Sequence, residues 1–197
     1  VDPITHAHLD DDRLLADLDG VRDRATAANV EQTLAIATSA SSSARVVQLA
    51  ESFPEIFAAV GIHPNHVHEV VPGDWDQILA LVDHHRVVAV GETGLDRHWD
   101  FTPFPVQQEW FVRHLELAFE HGKPVVIHCR ECESDILEQL AALNRPVVGV
   151  LHSFTGNWEQ AQAFLELGLH LSFAGQITFS NKSLDDLRDA AARVPSD

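Results

Sequence analysis

His6 and His8, two residues apart near the start of the chain, open a set of side chains that could hold a divalent cation. On an extended strand, side chains at i and i+2 share a face, so both imidazoles can grip one ion. Glu92 directly follows the apolar run Val87-Val88-Ala89-Val90-Gly91, where a carboxylate without a partner is costly. His128 closes the run Pro124-Val125-Val126-Ile127, and His152 closes Val147-Val148-Gly149-Val150-Leu151. Taken singly, each histidine fits a hydrogen-bonded core residue, and Glu92 fits an ion pair with Arg97 or Arg130. Four separate strands that all end in a metal-capable side chain are hard to explain by packing. His6, His8, Glu92, His128 and His152 are therefore read together as a metal cage, with Glu92 as the candidate catalytic group. Nitrogen and oxygen ligands without a thiolate suit zinc, manganese or magnesium.

Two further residues are candidates for holding substrate. Arg130, just past His128, could clamp a phosphate with its planar fork, or could pair with Glu131 or Asp135. His63, in a Gly-Ile-His-Pro loop, could touch a phosphate or be an ordinary loop residue. Cys129-Arg130-Glu131-Cys132 has the spacing of a redox motif, but Cys129 neighbours the proposed ligand His128. Adjacent strand positions face opposite ways, so both cysteines are read as packing residues.

The elements that must position these groups alternate along the chain. Strand-like runs lie at Ile4–His8, Thr33–Ala37, Ile56–Ile62, Val87–Val90, Pro124–His128, Val147–Leu151 and Leu169–Phe173. Between them lie amphipathic stretches, clearest at Val106–His121, where Phe111, Leu115, Ala118 and Phe119 share one helical face. Gly122 supplies its stop and Pro124 opens the next strand. Asp74 is expected to cap a helix running to Val82, and Asn157 one over Trp158–Leu167. Apolar strands alternating with helices predict a parallel sheet covered on both faces. No Gly-rich dinucleotide fingerprint follows the first strand, and the polar residues gather at the ends of several strands. Both observations favour a TIM (β/α) barrel over an open doubly wound α/β sheet.

Composition limits the rest. The chain has 197 residues, 45% of them hydrophobic, enough for one sizeable core, so 1–197 reads as a single domain. Thirteen basic against 30 acidic residues give a net charge of −17. A broad basic face for nucleic acid is thereby excluded, and a phosphate must be held locally by metal ions or a few Arg and Lys. No apolar stretch reaches membrane-spanning length and no signal-peptide pattern opens the chain, so a cytoplasmic location is expected.

Thr5-His6-Ala7-His8-Leu9-Asp10, Val60-Gly61-Ile62-His63-Pro64, Gly91-Glu92-Thr93-Gly94-Leu95-Asp96, Val126-Ile127-His128-Cys129-Arg130-Glu131 and Leu151-His152-Ser153-Phe154-Thr155-Gly156 resemble, in order, the signatures of TatD-type deoxyribonucleases. Ser172-Phe173-Ala174-Gly175-Gln176-Ile177-Thr178-Phe179 resembles that family's following strand and loop. The resemblance implies a TIM barrel, one or two divalent metals and hydrolysis of phosphodiester bonds, often in DNA. It implies that His6 and His8 bind a first metal, that His128 and His152 bind a second, and that Glu92 binds or bridges. Water activated by the metal would then attack phosphorus.

The chain departs from the family pattern in three places. Ile4 stands where an Asp is usual, and Cys132 where a small residue is usual. The chain begins at Val1 and stops at Asp197, ahead of the Glu-Thr-Asp of an eighth strand. It is thus expected to hold about seven βα units of an incomplete barrel, with self-association through the open edge as one outcome. Asp197 is not expected to replace the family's Asp. Two other functions compete: an amidohydrolase-type enzyme acting on a small substrate, and a metal-binding barrel remnant without activity. Amidohydrolases commonly bridge their metals with a carboxylated Lys, and no Lys lies near Glu92.

Overall fold

The apolar runs pair into one parallel sheet in strict chain order, β1-β2-β3-β4-β5-β6-β7, in a computed structural model that describes residues 4–195. The strands are β1 (Ile4–Ala7), β2 (Gln32–Ile36), β3 (Ile56–Val60), β4 (Val87–Asp96), β5 (Val125–Arg130), β6 (Gly149–Leu151) and β7 (His170–Leu171). The side chain of Ile4, the start at Val1 and the role denied to Asp197 lie outside what is described.

Helices connect the strands: α1 (Asp12–Leu15) and α2 (Leu18–Ala27), then α3 (Ala40–Ser52), α4 (Asp74–Leu81), α5 (Phe104–Glu120), α6 (Glu133–Ala142), α7 (Trp158–Glu166) and α8 (Asp185–Arg193). Helix α5 begins ahead of the expected Val106 because Pro105 is tolerated in a first turn, where a backbone N–H has no helical partner. Its predicted face is the buried one, with Phe111, Leu115 and Ala118 in the core. Asn157 caps α7 through a reciprocal pair with Gln160. At α4 the expectation needs correcting. Gly73, at φ +98°, occupies the cap position, and Asp74 is the first helical residue, its carboxylate accepting from the Val71 N–H at 3.0 Å.

The apolar residues divide into two sets by strand parity. Ala35, Ala58, Val60, Val125, Ile127 and Leu151 face the helices and join the main core. Ile36, Ala59, Ala89 and Val126, with Leu34 and Val150 against them, form a smaller inner cluster. An inner cluster drawn from five consecutive strands means that the sheet curls around an interior. The rings of His6, on β1, and His152, just past β6, stack at 4.4 Å although four strands lie between β1 and β6 in sheet order. The expected (β/α) barrel architecture is therefore present as a seven-stranded curled sheet.

Strand β4 differs most from expectation, running to Asp96 rather than stopping at Val90. Between Val90 and Thr93 it carries one residue more than β5, since Val90 pairs with Val125 and Thr93 with Ile127. This bulge reverses the alternation of faces. Val90 and Leu95 both point to the helices, which leaves Glu92, Gly94 and Asp96 on the inner side. Gly91 and Gly94, at φ +148° and +138°, make this path possible. A Cβ at either would stand 2.6 Å from the Val126 carbonyl oxygen or 2.0 Å from that of His128.

Candidate metal centre

Glu92 is the hub, 1% exposed, with imidazoles reaching it from four other places in the sheet. Its Oε1 is approached by His128 Nδ1 at 3.0 Å, by His63 Nε2 at 3.8 Å and, closely, by His152 Nε2. Its Oε2 faces His8 Nε2 at 3.3 Å. Arg97, one of the expected ion-pair partners of Glu92, instead pairs with Asp135 at 2.6 Å. Glu131 is taken by His98, so the pairings foreseen for Arg130 are not the ones formed with these two acids.

The residues fit a divalent cation on several grounds. Ligand atoms of His6, His8 and Glu92 lie within 4.8 Å of one another. His6 Nε2 and Glu92 Oε2 are buried without a hydrogen-bond partner, a costly state that a cation between them would relieve. His8 Nδ1 lies 2.9 Å from the Ile36 carbonyl oxygen, which can only accept. That nitrogen must therefore carry the proton, leaving the Nε2 lone pair directed at Glu92, as second-sphere contacts orient metal-bound histidines. Three imidazole nitrogens also converge on Glu92 Oε1, more than its two lone pairs can serve well.

Electrostatics agree with this crowding. Burial opposes ionisation of Glu92, yet the imidazoles of His128, His152 and His8 around it hold its pKa well below the ordinary value. Burial alone would lower His128, but hydrogen bonds to Asp96 and Glu92 and their charges carry it up to about 9. His6 is pushed down to about 4, by burial first and then by the neighbouring His152. His63 is pushed down to about 3, chiefly by burial.

Of the five residues expected to form the cage, all converge here: His6 and His8 at the end of β1, Glu92 within β4, His128 on β5 and His152 just past β6. His63, expected against substrate, enters the same cluster, with its ring 4.3 Å from that of His128. Its Nδ1 accepts from the Asn65 N–H at 3.1 Å, so the neutral ring carries its proton on Nε2. It thus presents a donor, not a lone pair, to the cavity. Arg130 is exposed at the end of β5, its guanidinium 5.8 Å from the Trp99 ring. Cys129 and Cys132 sit in the core, sulfurs 3.7 Å apart, with the Cys132 thiol donating to the Leu95 carbonyl at 3.1 Å. The hydrogen bond with Cys132, and then burial, raise the Cys129 thiol far above its ordinary range.

Asp96 was missed as a site residue. Its Oδ2 lies 2.9 Å from His128 Nε2 and accepts from Asn65 Nδ2 at 3.0 Å. Burial works against ionisation, but these contacts and a bond from the Trp99 N–H lower its pKa to about 2. Its signal in the sequence was the spacing Glu92-x-Gly94-x-Asp96, which shares a face only if the strand continues past Val90. A cavity of about 570 Å³ opens over the cage, lined also by Thr38, His66, His68, Glu69, Trp99 and Phe101.

A curled parallel sheet with a His and carboxylate cage at its C-terminal mouth is the architecture of metal-dependent barrel hydrolases. The sequence profile described as TatD related DNase matches residues 5–197, and the chain belongs to that family. It is 34% identical to the metal-dependent hydrolase YabD of Bacillus subtilis, over 98% of this chain and 75% of that protein. It is 31% identical to a Salmonella typhimurium protein named 3′-5′ ssDNA/RNA exonuclease TatD, over 96% of this chain and 73% of the relative. The crystal structure of YjjV, a TatD homologue of Escherichia coli, superposes with a TM-score of 0.90 at 33% identity, covering 98% of this chain and 74% of that one. Among the described residues, no helix is long and apolar enough to cross a membrane.

Proposed function

We propose that this chain hydrolyses phosphodiester bonds of nucleic acid in a divalent-metal-dependent reaction, as a TatD-like deoxyribonuclease. The observation that carries the reading is the convergence of His6, His8, His128 and His152 on buried Glu92, with His6 Nε2 and Glu92 Oε2 left without partners. His6, His8 and Glu92 would hold one ion, and His128 and His152 with Glu92 a second. When bound, such an ion supplies Lewis-acid polarisation of a phosphoryl oxygen and lowers the pKa of water.

The chain's own groups do the rest. Glu92 is the candidate catalytic carboxylate: kept ionised and oriented by the imidazoles around it, it would help to hold both ions. His63 offers its Nε2–H to a phosphate oxygen from the wall of the cavity. Arg130 stands at the rim, with its guanidinium free of the acids that hold its neighbours Arg97 and His98. Asp96 orients His128. The relative named as a ssDNA/RNA exonuclease supports a nucleic-acid substrate.

The test is release of nucleotides from a single-stranded DNA oligonucleotide by purified protein supplied with manganese, magnesium or zinc. Release should need metal and stop with EDTA. Absence of release with every metal, combined with turnover of a cyclic amide, would replace this reading with the amidohydrolase one.

A further inference from the structure

Trp99 and Phe101 leave the end of β4 with their rings stacked, centroids 5.5 Å apart and planes 17° from parallel. The row extends on both sides. His68 lies 6.1 Å from Phe101 at 23°, and the Arg130 guanidinium lies 5.8 Å from the Trp99 ring. Trp99 and Phe101 are 45% and 53% exposed, although burying either would be favourable. Both line the same cavity as His8, Glu92, His128 and His152.

The segment that carries these rings is tied to the cage. Asp96 Oδ1 accepts from the N–H groups of His98 at 2.9 Å and Trp99 at 3.0 Å. Gln107 Nε2 donates to the Asp96 carbonyl at 3.1 Å and to the Thr102 carbonyl at 2.9 Å. Thr102 Oγ1 accepts from the His68 N–H at 3.2 Å. The aromatic faces therefore hold a defined position beside the reacting centre.

Charge says what these faces are for. At a net −17, and with Glu69 and Glu92 in the cavity itself, the chain offers a polyanion no general attraction. Beyond the ions and the few groups that would hold the reacting phosphate, affinity for a nucleic acid must then come from contacts that do not depend on phosphate charge. Exposed aromatic rings flanked by a guanidinium provide such contacts, since every base has a π-face and stacking is indifferent to the net charge around it.

We propose that Trp99 and Phe101, flanked by Arg130 and His68, form a stacking platform for a nucleobase adjacent to the phosphate held over the cage. The proposal rests on the phosphodiesterase reading above for the identity of the ligand. A base in a duplex has its faces covered, so only an unpaired or splayed base can occupy the platform.

Calorimetric titration of the metal-loaded protein with 5′-deoxyadenylate and with 2-deoxyribose 5-phosphate isolates the base, because the two ligands share sugar and phosphate. Deoxyadenylate should bind about tenfold or more tightly than the base-free ligand. In Trp99→Ala, Phe101→Ala the difference should fall to within about twofold, whereas Trp99→Phe, which keeps a ring, should retain most of it. Circular dichroism of the double variant shows whether it is folded, and Trp99→Phe reads the platform independently. Equal binding of the two ligands to the wild type, including no detectable binding of either, overturns the platform. So does a difference that survives in the folded double variant. Hydrolysis of single-stranded DNA measured in parallel separates the two readings. Base-dependent binding without hydrolysis removes the phosphodiesterase and keeps the platform; hydrolysis without base-dependent binding does the reverse.

Discussion

Asp96 Oδ2 lies 2.9 Å from His128 Nε2, and the other oxygen of the same carboxylate accepts from the Trp99 N–H at 3.0 Å. One buried side chain therefore joins the candidate metal centre to the aromatic segment at its rim. Asn at this position keeps a single acceptor oxygen, so its amide nitrogen must face either His128 or the backbone N–H groups. Asp96→Asn should lower metal affinity or activity by about 10- to 100-fold, the usual cost of losing a group that orients a ligand. Metal titration and nucleotide release check this together. Unchanged values in both would remove Asp96 from the site.

Metal content should depend on the cage as a unit. Glu92→Gln and His128→Ala should each lower bound divalent metal, read by elemental analysis of purified protein. Each should also reduce the rise in melting temperature that added metal gives, because a ligand of the folded state stabilises it by mass action. Full occupancy in both variants would show the cage to be wrongly drawn.

A pH dependence follows from His114, away from the cage. It is fully buried, its Nδ1–H donating to the Trp110 carbonyl at 2.7 Å and its Nε2 accepting from the Ile62 N–H at 3.0 Å. Both contacts suit the neutral ring, and burial pushes its pKa from the ordinary 6.5 down to about 4. With the folded value below the unfolded one, the unfolded chain takes up the proton first as pH falls. The contribution is therefore intact above about 6.5 and declines as pH drops toward 4, to a total on the order of 3 kcal/mol. In metal-free protein, denaturant unfolding between pH 7 and 4 should be less pH-sensitive in His114→Gln than in the wild type. Parallel profiles would contradict the assignment.

The cysteines should be dispensable for chemistry. Cys129→Ser, Cys132→Ser should retain metal and nucleotide release, with a stability loss of about 1–3 kcal/mol from hydroxyls placed in an apolar core. Loss of release with metal retained would instead make the pair functional, and thiol titration against activity would show it.

The strand runs, the helix faces of α5 and α7 and the five cage residues were legible in the sequence because each depends on local pattern. Apolar periodicity sets the elements, and a polar residue at the end of an apolar strand stands out against its neighbours. Parity likewise separated Cys129 from His128, since adjacent strand residues face opposite sides. What lay beyond local pattern was decided by the fold. Strict alternation from Val90 would send Glu92 toward the helices; only the bulge, formed as Gly91 and Gly94 let β4 press against β5, turns it and Asp96 inward. His63 and Asn65 reach the cage because a turn after β3 folds over the mouth of the barrel, and nothing in their own sequence window specifies that. The stacking of His6 on His152 likewise depends on the curl of the whole sheet, which sums the twist of strands paired far apart in sequence. Residue types and their order thus pointed to the family and to the side chains that converge. Their geometry came from long-range strand pairing, which a reading of neighbours along the chain does not contain.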